Sequence, residues 1–174
     1  RSYHIFYQLC ASAEWAPPLS LSGGAEGFRY LAQSGCTTVP TIDDQHDFGE
    51  VVEALVDMGF EQDDVQWVFS LCAAALHLGN VTFDGIDGDE GSAVDANSTG
   101  YVALAATYLG VDAAALTAGL TERQIVIRGE TQHLRNKPAQ AAEAAEALAK
   151  AACTCPRLYC VPAPILCACA YSAC

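Results

Sequence analysis

A run of acidic residues around one histidine, Asp43-Asp44-Gln45-His46-Asp47, has the ligand types of a metal site. Carboxylate oxygens and imidazole nitrogens bind divalent cations, but the ligands must converge in space, and the sequence offers no second cluster to complete this one. The same residue types also suit a helix start, where carboxylates accept hydrogen bonds from free backbone N–H groups and favour the positive end of the helix dipole. We interpret this run as a capped helix start.

A second acidic stretch, residues 84–95, partly resembles a calcium-binding loop. Such loops alternate oxygen ligands around a central glycine and close with a glutamate. Asp87, Asp89 and Gly91 fit this pattern in part, but no glutamate follows at the closing position. The composition therefore favours a flexible, solvated, acidic surface loop.

The nine cysteines are unevenly placed, with six of them in the last 22 residues. Two pairs in this tail, Cys153/Cys155 and Cys167/Cys169, have C-x-C spacing, whereas common zinc sites use C-x-x-C, and no histidine accompanies them. Soft-metal binding by the tail remains a weaker alternative. Cys10, Cys36 and Cys72 lie in ordinary sequence and are expected to be free thiols, because a secreted disulfide scaffold would spread its bridges across the fold.

Motifs for catalysis are missing from the sequence. It contains no G-x-x-x-x-G-K-[ST] loop to hold nucleotide phosphates. None of the four histidines has a sequence neighbourhood typical of a nucleophilic relay, and His77, inside an apolar run, is interpreted as a hydrogen-bonded core histidine. The residues alone therefore predict a mostly helical chain without a catalytic site.

Composition narrows the range of partners. The chain has 174 residues and a formal net charge of −13, which disfavours nucleic acids and anionic membranes as generic partners. No apolar run approaches the roughly 18 residues of a transmembrane helix. The chain opens with Arg1 rather than Met and shows no signal peptide, which we read as a sign of a fragment.

Hydrophobic spacing predicts the elements that carry these residues, and the fold class is mainly α with short β segments. The strongest helix begins at Asp43 or Asp44 and ends at Gly59, and the next begins at Asp63 or Asp64 and closes at Gly79. These two helices are expected to pack with the last one. The other predicted elements are a helix at 3–12, a loop at 13–27, an extended or turn segment at 28–31, a strand at 81–83, helices at 97–109 and 112–120, a strand or hairpin arm at 121–130 and a helix from Pro138 through Ala149.

Several stretches together resemble the myosin motor head. They include RSYHIFYQLC at 1–10, FRYLAQSGC at 28–36 (with Ala32 where the family usually has Asn), ALVDMGF at 54–60 and LCAAALHLGNV at 71–81. Shorter matches continue in family order as far as Lys150. Residues 1–150 are thus identified as a partial motor domain from a parent fold of the P-loop NTPase superfamily, similar to its upper actin-binding subdomain.

The resemblance implies a parent that is an actin-based, ATP-driven cytoskeletal motor in the cytoplasm, with this piece supplying part of the actin-binding cleft. Its implied partners are the actin filament and the rest of the heavy chain. The family binds ATP and Mg²⁺ through a P-loop, switch I and switch II, none of which matches a segment of this chain, so no catalytic, cofactor or metal residue is carried over. The isolated chain is expected to be inactive. The alternative is a stand-alone, ATP-independent actin-binding or helical interaction module.

Residues 120–130 resemble the family's cardiomyopathy loop, a surface hairpin that meets the filament. This resemblance makes Arg123, Arg128 and Glu130 the candidates for actin contact. The alternative for these charges is a solvated hairpin face with little energetic role. Residues 84–95 correspond to another surface loop that can flank actin, but the acidic side chains here oppose attraction to an acidic filament.

The resemblance weakens after Lys150. Residues 151–174 are rich in Cys and Pro and follow no helical or strand period. We therefore expect an irregular tail, disordered or non-native, and hypothesise a truncated or mis-spliced gene model.

Overall fold

The computed structural model describes residues 1–153 apart from 87, 89, 128 and 129. Seven α-helices and two antiparallel hairpins form this part of the chain, together with 3₁₀ turns at Ala25–Gly27 and Ala96–Ser98. The helices are α1 His4–Ala11, α2 Arg29–Ala32, α3 Asp44–Asp57, α4 Gln62–Gly79, α5 Thr99–Leu109, α6 Ala113–Thr121 and α7 Pro138–Cys153. The strands are β1 Phe83–Ile86, β2 Gly91–Val94, β3 Glu122–Ile127 and β4 Glu130–Arg135, paired β1 with β2 and β3 with β4. The predicted class, mainly α with short β segments, is confirmed.

Side-chain caps set the starts of the two long helices. The Asp43 carboxylate accepts a hydrogen bond from the His46 backbone N–H at 3.1 Å, which confirms the predicted capped start of α3. Helix α4 begins at Gln62, one or two residues before the predicted start at Asp63 or Asp64, because Glu61 and Asp64 form a reciprocal capping box. Gly59 follows α3 with φ +87°, the left-handed conformation predicted for this position.

Helix α4 runs through both hydrophobic clusters of the core. Its first half packs with α1, α3 and the 16–31 segment around Phe69, which is fully buried. Its last turns pack with α5, α6 and α7 through Ala75 and Leu78. The predicted contact between α4 and α7 is therefore present, whereas α3 packs mainly against α1.

One short segment was predicted with two alternatives, and another differs from the sequence prediction. Residues 29–32 form a helical turn, which is the turn alternative of the segment predicted at 28–31 to be extended or a turn, because Asn80 Oδ1 accepts from the Arg29 backbone N–H at 2.8 Å and the Gly79 carbonyl accepts from Arg29 Nε at 2.7 Å. Phe83–Ile86 and Gly91–Val94 pair as the β1–β2 hairpin, where the sequence predicted a strand at 81–83 followed by a flexible loop. Phe83 and Val94, a cross-strand pair in this hairpin, pack against the second core cluster and fix its register.

Helix α7 continues four residues past the predicted end at Ala149, and Ala152 is buried in its last turn. The rest of the tail, 154–174, lies outside the described residues. Among the described helices, none alone has the length and hydropathy to cross a membrane, and Ala96–Leu109 with Ala113–Thr121 meets that test only as a pair bent by 112°.

Candidate functional site

The β3–β4 hairpin carries the residues singled out as actin contacts. Arg123 pairs with Leu134, and Ile127 pairs with Glu130 at the outer end. Cross-strand partners lie on the same face of a hairpin, and so does every second residue of one strand. Positions 123 and 127 are four residues apart in β3, and 127 pairs with Glu130, so Arg123 and Glu130 lie on the same face. Their positions along the strands are about 13 Å apart at 3.3 Å per residue. Both side chains are exposed, and Arg128 lies outside the described residues.

The opposite face presents an apolar side chain to solvent. Val126 is 71% exposed and pairs with Thr131 across the strands. An exposed valine at this position was not among the sequence candidates. The available signal was its position next to Ile125 in the predicted strand, because successive side chains of a strand point to opposite faces.

A buried asparagine fixes the base of the hairpin. Asn136, which follows β4, is 5% exposed, and its Nδ2 donates to the Leu120 carbonyl at 2.9 Å. Its backbone N–H donates to the Thr121 carbonyl at 2.7 Å. Both acceptors belong to the last turn of α6, so the hairpin leaves the body at a point fixed by two short hydrogen bonds. Asn136 was not predicted from the sequence, because its role depends on contacts with a different element.

The acidic β1–β2 hairpin lies beside this base. Lys137 Nζ is 3.4 Å from Glu90 Oε1, and both side chains are more than half exposed. The Arg135 side chain lies over Gly91, where an added Cβ would come within 2.9 Å of the Arg135 Cδ. The ion pair is exposed and contributes little. The Arg135 side chain over Gly91 is a second contact between the two hairpins. Asp87 and Asp89, the residues of the calcium-loop interpretation, lie outside the described residues.

One group of three potential metal ligands occurs in the part of the chain that the structure describes. The ligand atoms of His46, Asp47 and Glu50 lie within 4.8 Å of one another on the outer side of α3. They come from a single helix, and His46 and Glu50 are exposed. Asp43 is used as the cap of that helix, so the helix-start interpretation of the run holds.

His77 lies inside the core, as interpreted from the sequence. Its ring is 1% exposed, and Nε2 is 3.0 Å from the Leu19 carbonyl oxygen. Burial lowers the pKa of His77, and the hydrogen bond to Leu19 offsets part of this effect. A histidine enclosed in this way has no path to a substrate in the surrounding solvent.

Comparisons with known proteins place this fold in a family. The family model described as myosin head (motor domain) matches residues 1–159. The chain is 35% identical over 153 residues to unconventional myosin-Ic-A of Xenopus laevis, covering 87% of this chain. It is 37% identical over 157 residues to myosin-1 of Arabidopsis thaliana and 38% identical over 154 residues to the myosin-I heavy chain of Dictyostelium discoideum, covering 89% and 87% of this chain. The chain belongs to the myosin head (motor domain) family.

The matches cover only a small part of those relatives. The aligned region is 15% of the Xenopus protein, 13% of the Arabidopsis protein and 6% of the Dictyostelium protein. Family membership therefore applies to this region, and the activity and partners of a whole motor are matters for proposal.

Proposed function

We propose that this chain supplies part of the actin-binding cleft of an ATP-driven, actin-based motor that works on the cytoskeleton in the cytoplasm, and that the β3–β4 hairpin is its contact with the filament. The observation that carries the proposal is an exposed hairpin, fixed at its base by Asn136 and displaying Arg123, in a chain of the myosin head family. The filament and the rest of the heavy chain are the partners that follow from this assignment.

The distribution of charge supports the hairpin as the contact. No Lys or Arg occurs between Arg29 and Arg123, although the chain has a net charge of −13. Four of the eight basic residues then fall within 123–137. A local positive cluster attracts an acidic partner, while the acidic remainder of the protein surface repels it. The cluster therefore guides the encounter and sets the orientation of binding.

The chemistry of the motor is assigned to other parts of the heavy chain. No residue of this chain is assigned to ATP or Mg²⁺, because the sequence contains no phosphate-binding loop. The purified chain mixed with actin and ATP is expected to release no phosphate above a protein-free blank. Phosphate release above that blank would contradict this assignment.

Co-sedimentation with actin filaments tests the contact itself. Arg123→Gln and Gln124→Glu each change the net charge by −1 at adjacent positions on opposite faces of the hairpin. We expect the first substitution to weaken binding about two- to fivefold, the range of an exposed ion pair, with a reduced salt dependence, and the second to have less effect. Equal effects of the two substitutions would contradict the assignment of the Arg123 face.

Binding without the rest of the heavy chain separates the two functional classes. Tight binding by the chain alone that is lost with Arg123→Glu would favour the stand-alone, ATP-independent module over part of a motor. ATP should leave binding by this chain unchanged in either case, because none of its residues is assigned to the nucleotide.

A further inference from the structure

The turn at residues 16–21 is held to the body by side chains from two helices. Tyr108 of α5 donates its hydroxyl hydrogen bond to the Pro18 carbonyl at 3.1 Å and lies 3.3 Å from the Ser20 hydroxyl. His77 of α4 contacts the Leu19 carbonyl between them. Ser20 has φ +57°, the one non-glycine residue with positive φ in the described part of the chain. Such a backbone conformation is strained and persists only where surrounding contacts hold it.

Aromatic rings enclose the His77 side chain. The ring of Tyr101 is stacked at 6.0 Å between centroids and that of Tyr108 at 5.6 Å, while Phe28 meets the imidazole edge-on at 5.5 Å. Tyr101 and Tyr108 are the titratable groups that face it from α5, the 16–21 turn offers a backbone carbonyl, and the segment before α2 offers Phe28. Within the described residues, no carboxylate or cationic side chain contributes to the pKa shift of His77.

This environment determines which form of the imidazole fits. A carbonyl oxygen only accepts hydrogen bonds, so Nε2 carries the proton and Nδ1 of the neutral ring has a lone pair. Nδ1 is buried and has no hydrogen-bond partner in the described structure. A second proton would make Nδ1 a charged donor without an acceptor. The aromatic faces attract a cation, but this attraction is smaller than the cost of burying a charge whose hydrogen bond is unmade.

We propose that neutral His77 is a clasp for the 16–21 turn, and that acidification releases this strained turn from α4 and α5 before the rest of the fold opens. The Nε2–H bond to Leu19 holds the turn in the folded state. When the turn opens, water reaches the imidazole and the ring accepts its second proton. The strain at Ser20 is relieved in the same step.

The direction of the pH effect follows from linkage. Burial holds the pKa of His77 below its ordinary value of 6.5, so the closed turn disfavours the protonated ring. The clasp is therefore complete above pH 6.5 and weakens as the pH falls below that value. With an open-state pKa near 6.5, the opening equilibrium should rise between pH 7.5 and pH 5.5, by up to about tenfold.

Amide hydrogen exchange of the full chain tests the clasp. The reporters are the backbone amides of Ser20 and Leu21, which donate to Pro17 and Ala16 in the closed turn. Their protection factors, corrected for the intrinsic pH dependence of exchange, should fall by up to about tenfold over this range, while amides in the middle of α4 keep theirs. His77→Phe should abolish the pH dependence, and the exposed control His133→Phe should leave it intact.

Three results would overturn the proposal. One is an unchanged pH dependence in His77→Phe, and another is a parallel loss of protection in the turn and in α4. If His77→Phe does not fold, NMR titration of the imidazole resonances of the wild-type chain measures the pKa of His77 and tests the proposal instead. A pKa of 6.5 or higher for His77 would be the third contrary result, and a lower pKa with concurrent turn exchange supports the clasp.

Discussion

The ring of Tyr30 occupies the space into which any side chain at position 79 would project. A Cβ built on Gly79 would lie 2.6 Å from Tyr30 Cδ2 and 2.7 Å from Cε2. The ring is also covered by the Arg29 guanidinium, whose Cζ lies 5.2 Å from its centroid. The close approach of the Tyr30 ring therefore requires glycine at the last position of α4. Gly59 and Gly110, in contrast, follow their helices with positive φ.

Gly79→Ala should destabilise the protein by about 1–3 kcal/mol, the usual cost of forcing an extra carbon into a packed site. Gly49→Ala is the matched control, because Gly49 lies inside α3 with nothing within 4 Å of its added Cβ. That substitution should stabilise by about 0.5–1 kcal/mol, since alanine costs less backbone entropy in a helix. Urea unfolding followed by circular dichroism measures both, and a stabilised Gly79→Ala variant would contradict the packing argument.

Asp43→Ala should lower the free energy of unfolding by about 1 kcal/mol, because it removes the acceptor that caps α3. Asp43→Asn keeps a side-chain oxygen at the same place and should retain most of the stability. The same unfolding measurement distinguishes them. If alanine and asparagine cost equally, the cap is not the source of the effect.

Phe69→Ala should be the most damaging of these substitutions, at about 3–5 kcal/mol. Phe69 is fully buried, with the Trp15 ring 4.9 Å away and the Phe48 ring 5.1 Å away. Its loss leaves a cavity between these two rings. Val126→Ala on the exposed hairpin face is the control and should stay within about 0.5 kcal/mol of the wild type. Similar melting temperatures for the two variants would count against the described core.

Cys10 and Cys36 should differ sharply in reactivity. Burial, together with the charge of Asp44, raises the pKa of the Cys10 thiol to about 12, whereas Cys36 is exposed. Alkylation depends on the thiolate, so iodoacetamide at pH 8 should label Cys36 and leave Cys10 unmodified until urea unfolds the chain. Peptide mass mapping reads out both sites. Equal labelling in the native state would show that Cys10 is accessible.

Local chemistry explains which parts of the fold the sequence predicted. The acidic residues before α3 and the glycine after it specify a helix on their own, and the structure places both ends where that chemistry requires. The start of α4 was misplaced by one or two residues, because Glu61 acts through its partnership with Asp64. A capping aspartate or a left-handed glycine can be recognised from the residue type alone, whereas a cap that depends on a pair of side chains is placed less accurately.

Segments whose conformation depends on distant partners were predicted only in part. Residues 29–32 adopt a helical turn because Arg29 bonds to Gly79 and Asn80, some fifty positions along the chain. The 84–95 stretch pairs as a hairpin although its composition resembles a solvated loop, since Phe83 and Val94 pack against helices that lie far away in sequence. Tertiary contacts override local preference in both cases.

The candidate site could be predicted only in part from the sequence, because it too depends on contacts between elements that are distant along the chain. The resemblance directed attention to Arg123, Arg128 and Glu130, and the register places the first and the last on one face. The contribution of any of the three to actin binding stays a prediction. Asn136 emerged only from the folded geometry, and the exposure of Val126 was not predicted either.

The double anchorage of Asn136 to the last turn of α6 ties the direction of the hairpin to that helix. Each strand has six residues and is about 20 Å long at 3.3 Å per residue. A ten-degree tilt of α6 would therefore carry the outer end of the hairpin through roughly 3.5 Å on a strand of that length. The hairpin therefore projects from α6, and a small change in the orientation of that helix would displace the outer end of the hairpin by a larger distance.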